Sequence, residues 1–305
     1  MRVFVTGATG YIGKAVSKAF RAKGHTVYGL VRSQEIASAL SFDEIWPVIG
    51  DMRQPESYTK ILQEVEVAVH CALDASDKTV ELDALTIDTI LKTFEQSPLP
   101  KAFIYTSGVW VYGSTGYKTV DESTPVNPID LIKWRSEHEQ KVLNAASSKL
   151  RTVIMRPGIV YGKAGGLTDI FFTTSQNGET VVIEEGRNRW AMIHAQDLAY
   201  AYVAAAEKEI SNTILNITDE SSYTMREMAE EIARVNGTPG KIYSLSKEEA
   251  LKQLGSMSYG LMLDQQVSNA RLKRLLGWQT HHLPYLNEIE IYLNAWKAKH
   301  QIEGF

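Results

Sequence analysis

The sequence contains a single cysteine, no long apolar run and no strong excess of charge of either sign. One thiol, Cys71, can form neither an internal disulfide nor a cysteine-based zinc site. No stretch approaches the roughly 18 apolar residues that a membrane span requires. With 32 basic and 36 acidic residues the formal net charge is −4, so electrostatics gives no reason to bind nucleic acid or an anionic membrane.

The N-terminus also lacks the features of an export signal. Its apolar run, Val3–Val5, is too short for one, and a glycine-rich segment follows at once. A chain of 305 residues can bury one large core and a smaller lobe. We therefore expect a soluble cytoplasmic protein whose partner is a small-molecule substrate, with no nucleic acid and no membrane among its partners.

Short apolar runs alternate with amphipathic segments over the first two thirds of the chain. The runs are rich in Val, Ile, Phe and Tyr, which is typical of parallel strands buried on both faces. The predicted strands are Val3–Thr6, Thr26–Val31, Trp46–Ile49, Val65–Cys71, Ala102–Thr106 and Thr152–Met155. The predicted helices are Ile12–Lys23, Pro55–Gln63, Asp74–Gln96 and Ile129–Ser147. This alternation predicts an α/β fold with a Rossmann-type, doubly wound parallel sheet.

After Arg156 the pattern is more interrupted. It predicts helices at Met225–Val235, Lys247–Leu254, Ser268–Leu276 and Leu286–Lys299, and strands at Thr180–Ile183, Thr213–Ile217 and Lys241–Tyr243. We expect a smaller C-terminal substrate lobe, partly woven back into the main domain. The predicted dinucleotide-binding domain covers residues 1–160 with parts of 190–220, and the lobe with the C-terminal helices covers most of 161–305.

A glycine-rich turn stands between the first predicted strand and the first helix. Its spacing, G-x-x-G-x-x-G, is a variant of the dinucleotide fingerprint: Gly7 allows the tight turn, Gly10 lets a pyrophosphate approach, and Gly13 lets the helix pack on the strand. The free N–H groups and the helix dipole favour an anion there. The predicted cofactor-binding residues of this turn are Gly7, Ala8, Thr9, Gly10, Tyr11, Ile12 and Gly13.

The end of the second strand bears on which dinucleotide is bound. An NAD site usually has an acidic residue there for the ribose hydroxyls, whereas this chain has Arg32 followed by Ser33. A planar guanidinium can pair with a 2′-phosphate, so Arg32 favours NADP over NAD. Asp51 and Met52, after the third strand, are predicted to flank the adenine, although Asp51 also suits a turn or a helix N-cap.

Further segments complete a recognisable set. They are Gly50-Asp51, Ile104–Ser107, Arg156–Gly158 with Tyr161-Gly162, Arg189–Asp197 and Leu276–Trp278. Together with Thr6–Gly13 they resemble the extended short-chain dehydrogenase/reductase superfamily, in its branch of nucleotide-sugar epimerases and dehydratases. The resemblance covers nearly the whole chain. It implies a Rossmann domain with a small substrate lobe, and it allows a homodimer formed through a helix bundle. It also implies that Cys71, Ala72, Thr106, Arg135, Pro157 and Gly158 lie against the cofactor.

The family's catalytic set is a serine or threonine with a tyrosine and a lysine four residues apart on one helix. Ser107 matches the serine. When Glu139 is aligned with the family's glutamate, Arg135 takes the lysine position and Leu131 the tyrosine position. An alternative register uses Trp134 and His138. Neither register contains a tyrosine, and an arginine cannot donate a proton at neutral pH, so Arg135 is expected to bind the nicotinamide ribose.

Another group would then have to supply the proton. Tyr112, Tyr117 and Tyr161 lie on loops predicted to face the nicotinamide, and each is a candidate acid or simply a wall of the pocket. The predicted substrate contacts are Trp110, Tyr112 and Arg189, the last at the position where the family binds a nucleotide diphosphate. The residues next to it, Trp190 and Ala191, depart from the family pattern. No histidine and carboxylate set with metal spacing is evident.

Two functions remain open from the sequence. The first is an NAD(P)-dependent oxidoreductase, epimerase or dehydratase acting on a hydroxyl or carbonyl substrate, with a nucleotide sugar among the candidates. The second is a non-catalytic NAD(P)-binding sensor or scaffold. The absent tyrosine favours the second. Ser107, the aromatic residues of the predicted pocket and Arg189 favour the first, because a sensor needs no substrate end. We therefore expect an enzyme, with the sensor as the alternative.

Overall fold

The computed structural model describes residues 1–176 and 178–301. The strands are β1 (Arg2–Thr6), β2 (Thr26–Val31), β3 (Trp46–Ile49), β4 (Val67–His70), β5 (Lys101–Thr106), β6 (Thr119–Val120), β7 (Leu150–Pro157), β8 (Ile159–Tyr161), β9 (Thr180–Ile183), β10 (Met192–His194), β11 (Thr213–Ile217), β12 (Ile242–Leu245) and β13 (Gln266–Val267). The helices are α1 (Tyr11–Ala22), α2 (Gln34–Phe42), α3 (Glu56–Glu64), α4 (Thr79–Glu95), α5 (Trp134–Asn144), α6 (Asp169–Gln176), α7 (Ala195–Glu207), α8 (Met225–Val235), α9 (Lys247–Leu254), α10 (Met257–Leu261), α11 (Ala270–Leu276) and α12 (Ile289–Lys299). Within these residues, 3-10 turns also lie at Val109–Tyr112, Asp130–Ile132 and Tyr285–Glu288.

The central sheet has seven parallel strands in the order β11-β7-β5-β4-β1-β2-β3. Both of its faces are covered, as β1 shows: Val3 and Val5 belong to the core beneath α1 and α7, while Phe4 points to the core on the other face. Burial on both sides explains why the strands are nearly unbroken apolar runs. The predicted Rossmann-type fold is confirmed.

Several boundaries differ from the predicted ones. The predicted helix Asp74–Gln96 begins only at Thr79, because residues 71–78 form a separate loop in which the Asp74 carboxylate accepts the N–H of Ser76. The predicted helix Ile129–Ser147 is divided into a 3-10 turn and α5. Helices α2, α6, α7 and α10 were not predicted at all.

The C-terminal part forms a lobe with its own core and returns one strand to the main sheet. The parallel strand pairs β8–β10, β9–β12 and β6–β13 are too short to make a second large sheet. Helices α6, α8 and α12 bury a common apolar cluster. Strand β11 pairs with β7 at the edge of the main sheet. The domain limits stay a prediction, and residues 177 and 302–305 of the predicted lobe lie outside the described residues.

Across the described residues, no helix has the length and the apolar character needed to cross a membrane.

Candidate active site

A cleft of about 420 Å³ opens at the carboxyl ends of β1, β2, β3 and β4. In an open parallel sheet this is the edge where ligands bind. The cleft brings together eight of the predicted cofactor-binding residues: Gly7, Thr9, Gly10, Arg32, Asp51, Met52, Cys71 and Ala72. It also includes Gly50, from a segment that carries the family resemblance, and residues that were not predicted to contact the cofactor: Leu30, Val31, Ile36, Arg53, Leu73, Asp74 and Ala75.

The three glycines of the turn play different parts in the structure. Gly7 has a positive φ of 68°, and a Cβ there would lie 2.7 Å from the Ala72 Cα. A Cβ on Gly13 would lie 2.1 Å from the Gly7 carbonyl oxygen, so this glycine allows α1 to pack against the turn. A Cβ on Gly10 meets only that same oxygen, at 3.2 Å. Gly10 therefore keeps the approach to the helix N-terminus open.

Three of the predicted turn residues point away from the cleft. Ala8 is fully buried and faces Gly29, where an added Cβ would come within 2.7 Å of the Ala8 methyl group. Ile12 packs against the core beneath α1. The Tyr11 hydroxyl donates to the carbonyl oxygen of Gly162 at 2.7 Å, which ties the turn to the loop after β8.

The cleft is lined by two arginines, of which Arg53 is paired with carboxylates and Arg32 is not paired with any described residue. Arg32 is exposed and makes no ion pair or side-chain hydrogen bond with another described residue. Arg53 donates to Asp51 at 3.4 Å and to Asp74 at 2.7 Å. The free cation is therefore at the position where a 2′-phosphate is predicted.

Cys71 lies in the cleft and beside the end of β5. Its thiol accepts a hydrogen bond from the Thr106 hydroxyl at 3.4 Å, and Thr106 also shares a 2.7 Å hydrogen bond with Tyr202. Burial raises the pKa of the Cys71 thiol to about 12. The thiol is therefore protonated and unreactive at neutral pH.

The end of β5 carries the residues predicted for the carbonyl site. The Arg135 guanidinium reaches across from α5 and donates to the carbonyl oxygen of Thr106 at 3.0 Å. The next residue, Ser107, is 7% exposed, and its hydroxyl is buried without a hydrogen-bond partner among the described residues. A buried hydroxyl normally has a partner, so this one is available to a ligand.

The structure favours one of the two registers considered for α5. Arg135 faces the end of β5, and its guanidinium also lies 4.5 Å from the ring centroid of Trp134. His138 instead points into the protein, where its Nδ1 lies 2.7 Å from the Asp83 carboxylate. Leu131 stands in the 3-10 turn before α5. These contacts fit the register with Arg135 in the lysine position and Leu131, four residues before it, in the tyrosine position; that assignment stays a prediction.

Asp83 is the centre of a buried polar network that the sequence reasoning missed. Its carboxylate accepts from His138, from His70 at 3.2 Å and from the Tyr105 hydroxyl at 2.8 Å. His70 in turn contacts the Thr6 hydroxyl at 2.6 Å. Burial opposes ionisation, but the hydrogen bonds from His138 and His70 hold the pKa of Asp83 well below its ordinary value. The network links the strand before the glycine turn to α5.

Tyr112 belongs to a second buried network. Its hydroxyl accepts from Arg156 at 2.8 Å and donates to Asn216 at 2.9 Å, and the side chain is only 4% exposed. Arg156 pairs with Glu139 of α5 through two hydrogen bonds, of 2.9 and 2.5 Å. Burial raises the pKa of Tyr112. These contacts fit a structural role, and they give no support to Tyr112 as a proton donor or a substrate contact.

The other two candidate tyrosines are also placed unfavourably for acid catalysis. Tyr161 is 1% exposed, and its hydroxyl donates to Asp219 at 3.0 Å. Burial, followed by the charge of Asp219, raises the pKa of Tyr161 far above its usual range. Tyr117 is 94% exposed and lies beneath the guanidinium of Arg189. A catalytic role for either residue stays a prediction without structural support.

Arg189, predicted to bind a diphosphate, already has an anionic partner. Its Nε and Nη2 donate to the two carboxylate oxygens of Asp264 at 2.9 and 2.8 Å, and Nη2 also donates to the carbonyl of Gly116 at 3.0 Å. A forked arginine and carboxylate pair of this kind is a strong one.

Trp110, the other predicted substrate contact, has its ring packed against Gly260 of α10, where an added Cβ would lie 2.3 Å from the ring.

The remaining predicted contacts lie at the ends of β5 and β7. Pro157 ends β7, and Gly158 donates its N–H to the carbonyl of Ile217 at 2.9 Å. A Cβ on Gly158 would lie 2.5 Å from the Ala191 oxygen. Gly158 therefore allows close packing of two chain segments, and a cofactor contact at Pro157 or Gly158 stays a prediction.

His194, Asp197 and His282 have side-chain ligand atoms within 4.8 Å of one another. Their arrangement argues against a shared metal ion. The two imidazoles stack with ring centroids 3.5 Å apart, so their in-plane lone pairs run side by side instead of converging. Asp197 accepts the backbone N–H groups of His281 and His282, both at 3.1 Å. Burial and the neighbouring His282 lower the pKa of His194 to about 3, so it remains neutral.

Residues 3–218 match the model of the NAD dependent epimerase/dehydratase family. An uncharacterized protein of Schizosaccharomyces pombe is 30% identical over 95% of this chain and 98% of its own length. The sterol-4-alpha-carboxylate 3-dehydrogenase (decarboxylating) of Dictyostelium discoideum is 25% identical over 73% of each chain. The structure of dTDP-glucose 4,6-dehydratase from Bacillus anthracis in complex with NAD superimposes with a TM-score of 0.83 at 17% identity, covering 99% of this chain and 97% of that one.

Proposed function

The chain belongs to the NAD-dependent epimerase/dehydratase family, and we propose that it is an NADP(H)-dependent oxidoreductase that interconverts a carbonyl and a hydroxyl group. The proposed substrate is a small molecule without a nucleotide diphosphate. Ser107 and Arg135 are the proposed catalytic groups.

The cleft fits a dinucleotide. Gly10 stands at the N-cap of α1, where its lack of a side chain leaves the helix N-terminus open to a pyrophosphate. Exposed Arg32 supports the choice of NADP, since its guanidinium has no competing carboxylate among the described residues. When bound, the nicotinamide supplies or accepts the hydride.

Ser107 and Arg135 suit the polarisation of a carbonyl oxygen. The Ser107 hydroxyl can donate a hydrogen bond to that oxygen, and it is not used elsewhere among the described residues. The guanidinium of Arg135, held at Thr106, places a permanent positive charge next to the same strand end. In the reduction direction these two groups stabilise the negative charge that develops on the oxygen.

The proton must come from another source. Arginine keeps its proton at neutral pH, Leu131 has none to give, and the hydroxyls of Tyr112 and Tyr161 are engaged in buried hydrogen bonds. We infer that water protonates the alkoxide once hydride has reached the carbonyl carbon. The carbonyl carbon gains one hydride and the carbonyl oxygen gains one proton, which together give one alcohol.

The ion pair at Arg189 supports the proposed substrate class. A nucleotide diphosphate would have to compete with the Asp264 carboxylate for the same guanidinium. The Dictyostelium relative is likewise named as a dehydrogenase of a sterol carboxylate, which is not a nucleotide sugar.

The observation that carries the proposal is the unpartnered, buried Ser107 hydroxyl next to the strand end that Arg135 contacts. The test is NADPH oxidation by the purified protein with a panel of aldehydes, ketones and nucleotide sugars, alongside Ser107→Ala. We expect turnover of at least one aldehyde or ketone, and a loss of about 10²-fold in kcat for Ser107→Ala. NADPH binding without turnover of any compound would favour a dinucleotide sensor. Turnover of nucleotide sugars alone would contradict the substrate class.

A further inference from the structure

Arg53 forms an ion-pair bridge between two loops that border the cleft. It follows β3, and its guanidinium joins Asp51 on its own loop to Asp74 on the loop after β4. All three residues line the cleft. The Asp74 side chain is 11% exposed and the Arg53 side chain 43%, so the 2.7 Å pair is open to solvent on its Arg53 side.

The two bridged loops come from strands that are not neighbours. In the sheet, β1 and β2 lie between β3 and β4. Three strand spacings amount to about 14 Å, so the loops must lean toward each other over the ends of the central strands. The bridge therefore crosses the cleft from the β3 edge of the sheet to the loop after β4, which is the strand next to β5.

Apolar side chains face the cleft beside this bridge. Leu73 precedes Asp74 directly and is 59% exposed, and Ile36 at the start of α2 is 39% exposed. Exposed apolar residues that line a cleft offer a surface to a flat aromatic ring. Because Asp74 is fixed by Arg53, the bridge also fixes the position of Leu73.

Arg53 and Arg32 differ in whether their guanidinium groups are paired with carboxylates. Both Nη atoms of Arg53 are engaged by carboxylates, whereas Arg32 has no anionic partner among the described residues. A charge that is already compensated is a poor receptor for a further anion.

We propose that Arg53 is a positioning residue for the adenine ring, and this rests on the proposed dinucleotide function. By tying Asp51 to Asp74 it holds Leu73 as one wall of an adenine pocket whose opposite wall is Ile36. Arg53 therefore contributes to the affinity for NADP and for NAD to the same extent. Arg32, not Arg53, binds the 2′-phosphate.

The test measures binding of 5′-AMP, 2′,5′-ADP and nicotinamide mononucleotide by ligand-observed NMR, and of NADPH and NADH by fluorescence titration. Arg53→Met and Asp74→Asn each remove the bridge, Arg53→Lys keeps one ion pair, and Arg32→Met is the matched control. We expect Arg53→Met and Asp74→Asn to weaken 5′-AMP and 2′,5′-ADP equally, by about fivefold, and to leave nicotinamide mononucleotide unchanged. Arg53→Lys should recover part of the loss, and Arg32→Met should weaken only the ligands that carry a 2′-phosphate.

Two results would overturn the inference. A loss confined to 2′,5′-ADP in Arg53→Met would make Arg53 a phosphate ligand, and unchanged binding of both adenosine fragments would show that the bridge is irrelevant to the cofactor. Failure of the unmodified protein to bind NADPH and NADH is a different result, because it contradicts the proposed function itself.

Discussion

The guanidinium of Arg135 donates a 3.0 Å hydrogen bond to the main-chain carbonyl of Thr106, one residue before Ser107. This contact puts a permanent cation at the strand end where a tyrosine and lysine pair would be expected, while Leu131 leaves the tyrosine position apolar. In the proposed reaction, Ser107 and Arg135 stabilise the oxyanion, and the proton comes from water because the predicted tyrosine position holds Leu131.

Replacement of Arg135 tests whether its positive charge stabilises the oxyanion. Arg135→Gln removes the charge and should lower kcat for NADPH-dependent carbonyl reduction by about 10²- to 10³-fold. Arg135→Lys should lose less, because a lysine keeps the charge without the planar fork. Lys133→Gln, an exposed cation just before α5, is the control and should leave kcat unchanged. Equal rates for Arg135→Gln and the unmodified protein would remove Arg135 from the mechanism.

Arg32 should decide between the two cofactors. Arg32→Asp replaces the free guanidinium by the acidic residue typical of NAD sites, so it should weaken NADPH binding by at least about tenfold and NADH binding little. Fluorescence titration with both cofactors measures the two effects. A similar loss for both would contradict the role assigned to the 2′-phosphate.

Two glycine substitutions should separate folding from binding. Gly13→Ala forces a Cβ to within 2.1 Å of the Gly7 oxygen, so it should lower the Tm markedly. Gly10→Ala meets the same oxygen at only 3.2 Å, so it should fold with a nearly unchanged Tm and yet weaken NADPH binding, because its methyl group obstructs the pyrophosphate. A Gly10→Ala variant that binds NADPH normally would place the pyrophosphate elsewhere.

Asp83 should give the protein a defined acid sensitivity. Its pKa is depressed in the folded state, so its contribution to the free energy of unfolding is present above the unfolded value of about 3.9 and is lost as the pH falls toward the folded value. Asp83→Asn should cost about 3 kcal/mol at neutral pH, since it leaves buried donors badly matched. Urea unfolding from pH 7 to pH 3 should show the two proteins converging below about pH 4. A difference that is independent of pH would mean that the carboxylate charge is not what stabilises the network.

Arg189 should prove to be structural. Arg189→Met breaks the pair with Asp264 and should lower the Tm, while KM for the carbonyl substrate changes less than about twofold. UDP-glucose should not bind detectably to either protein in a calorimetric titration. Binding of UDP-glucose that disappears in Arg189→Met would restore the diphosphate role.

The features that could be predicted from the sequence are those determined by residues close together in the chain. Apolar strands and the Gly7–Gly13 turn can be read from consecutive residues, and Arg32 and Ser107 from their distance to a strand end. The Asp83 network could not, because its partners His70, His138 and Tyr105 lie 13, 55 and 22 residues away. The same holds for Asp264, 75 residues from Arg189.

Helix limits were missed where side chains compete with the backbone. Asp74 and Ser76 use their side chains to close a turn, which delays the start of α4 and creates a wall of the cleft. Helix α2 follows β2 after only Arg32 and Ser33, so its nine residues continue directly from the strand and the sequence pattern did not separate them as a helix. Arg53 could also have been found from the sequence, since it stands two residues after Asp51, which is predicted to flank the adenine.

A crystal structure of the protein with NADP⁺ tests the central claim most directly. The account predicts that the 2′-phosphate contacts Arg32 and that nicotinamide C4 faces a space bordered by the Ser107 hydroxyl and the Arg135 guanidinium, with both within about 5 Å of a carbonyl oxygen placed for hydride transfer. A nicotinamide that faces away from both groups, with another acid within hydrogen-bond reach of the place of the carbonyl oxygen, would contradict it.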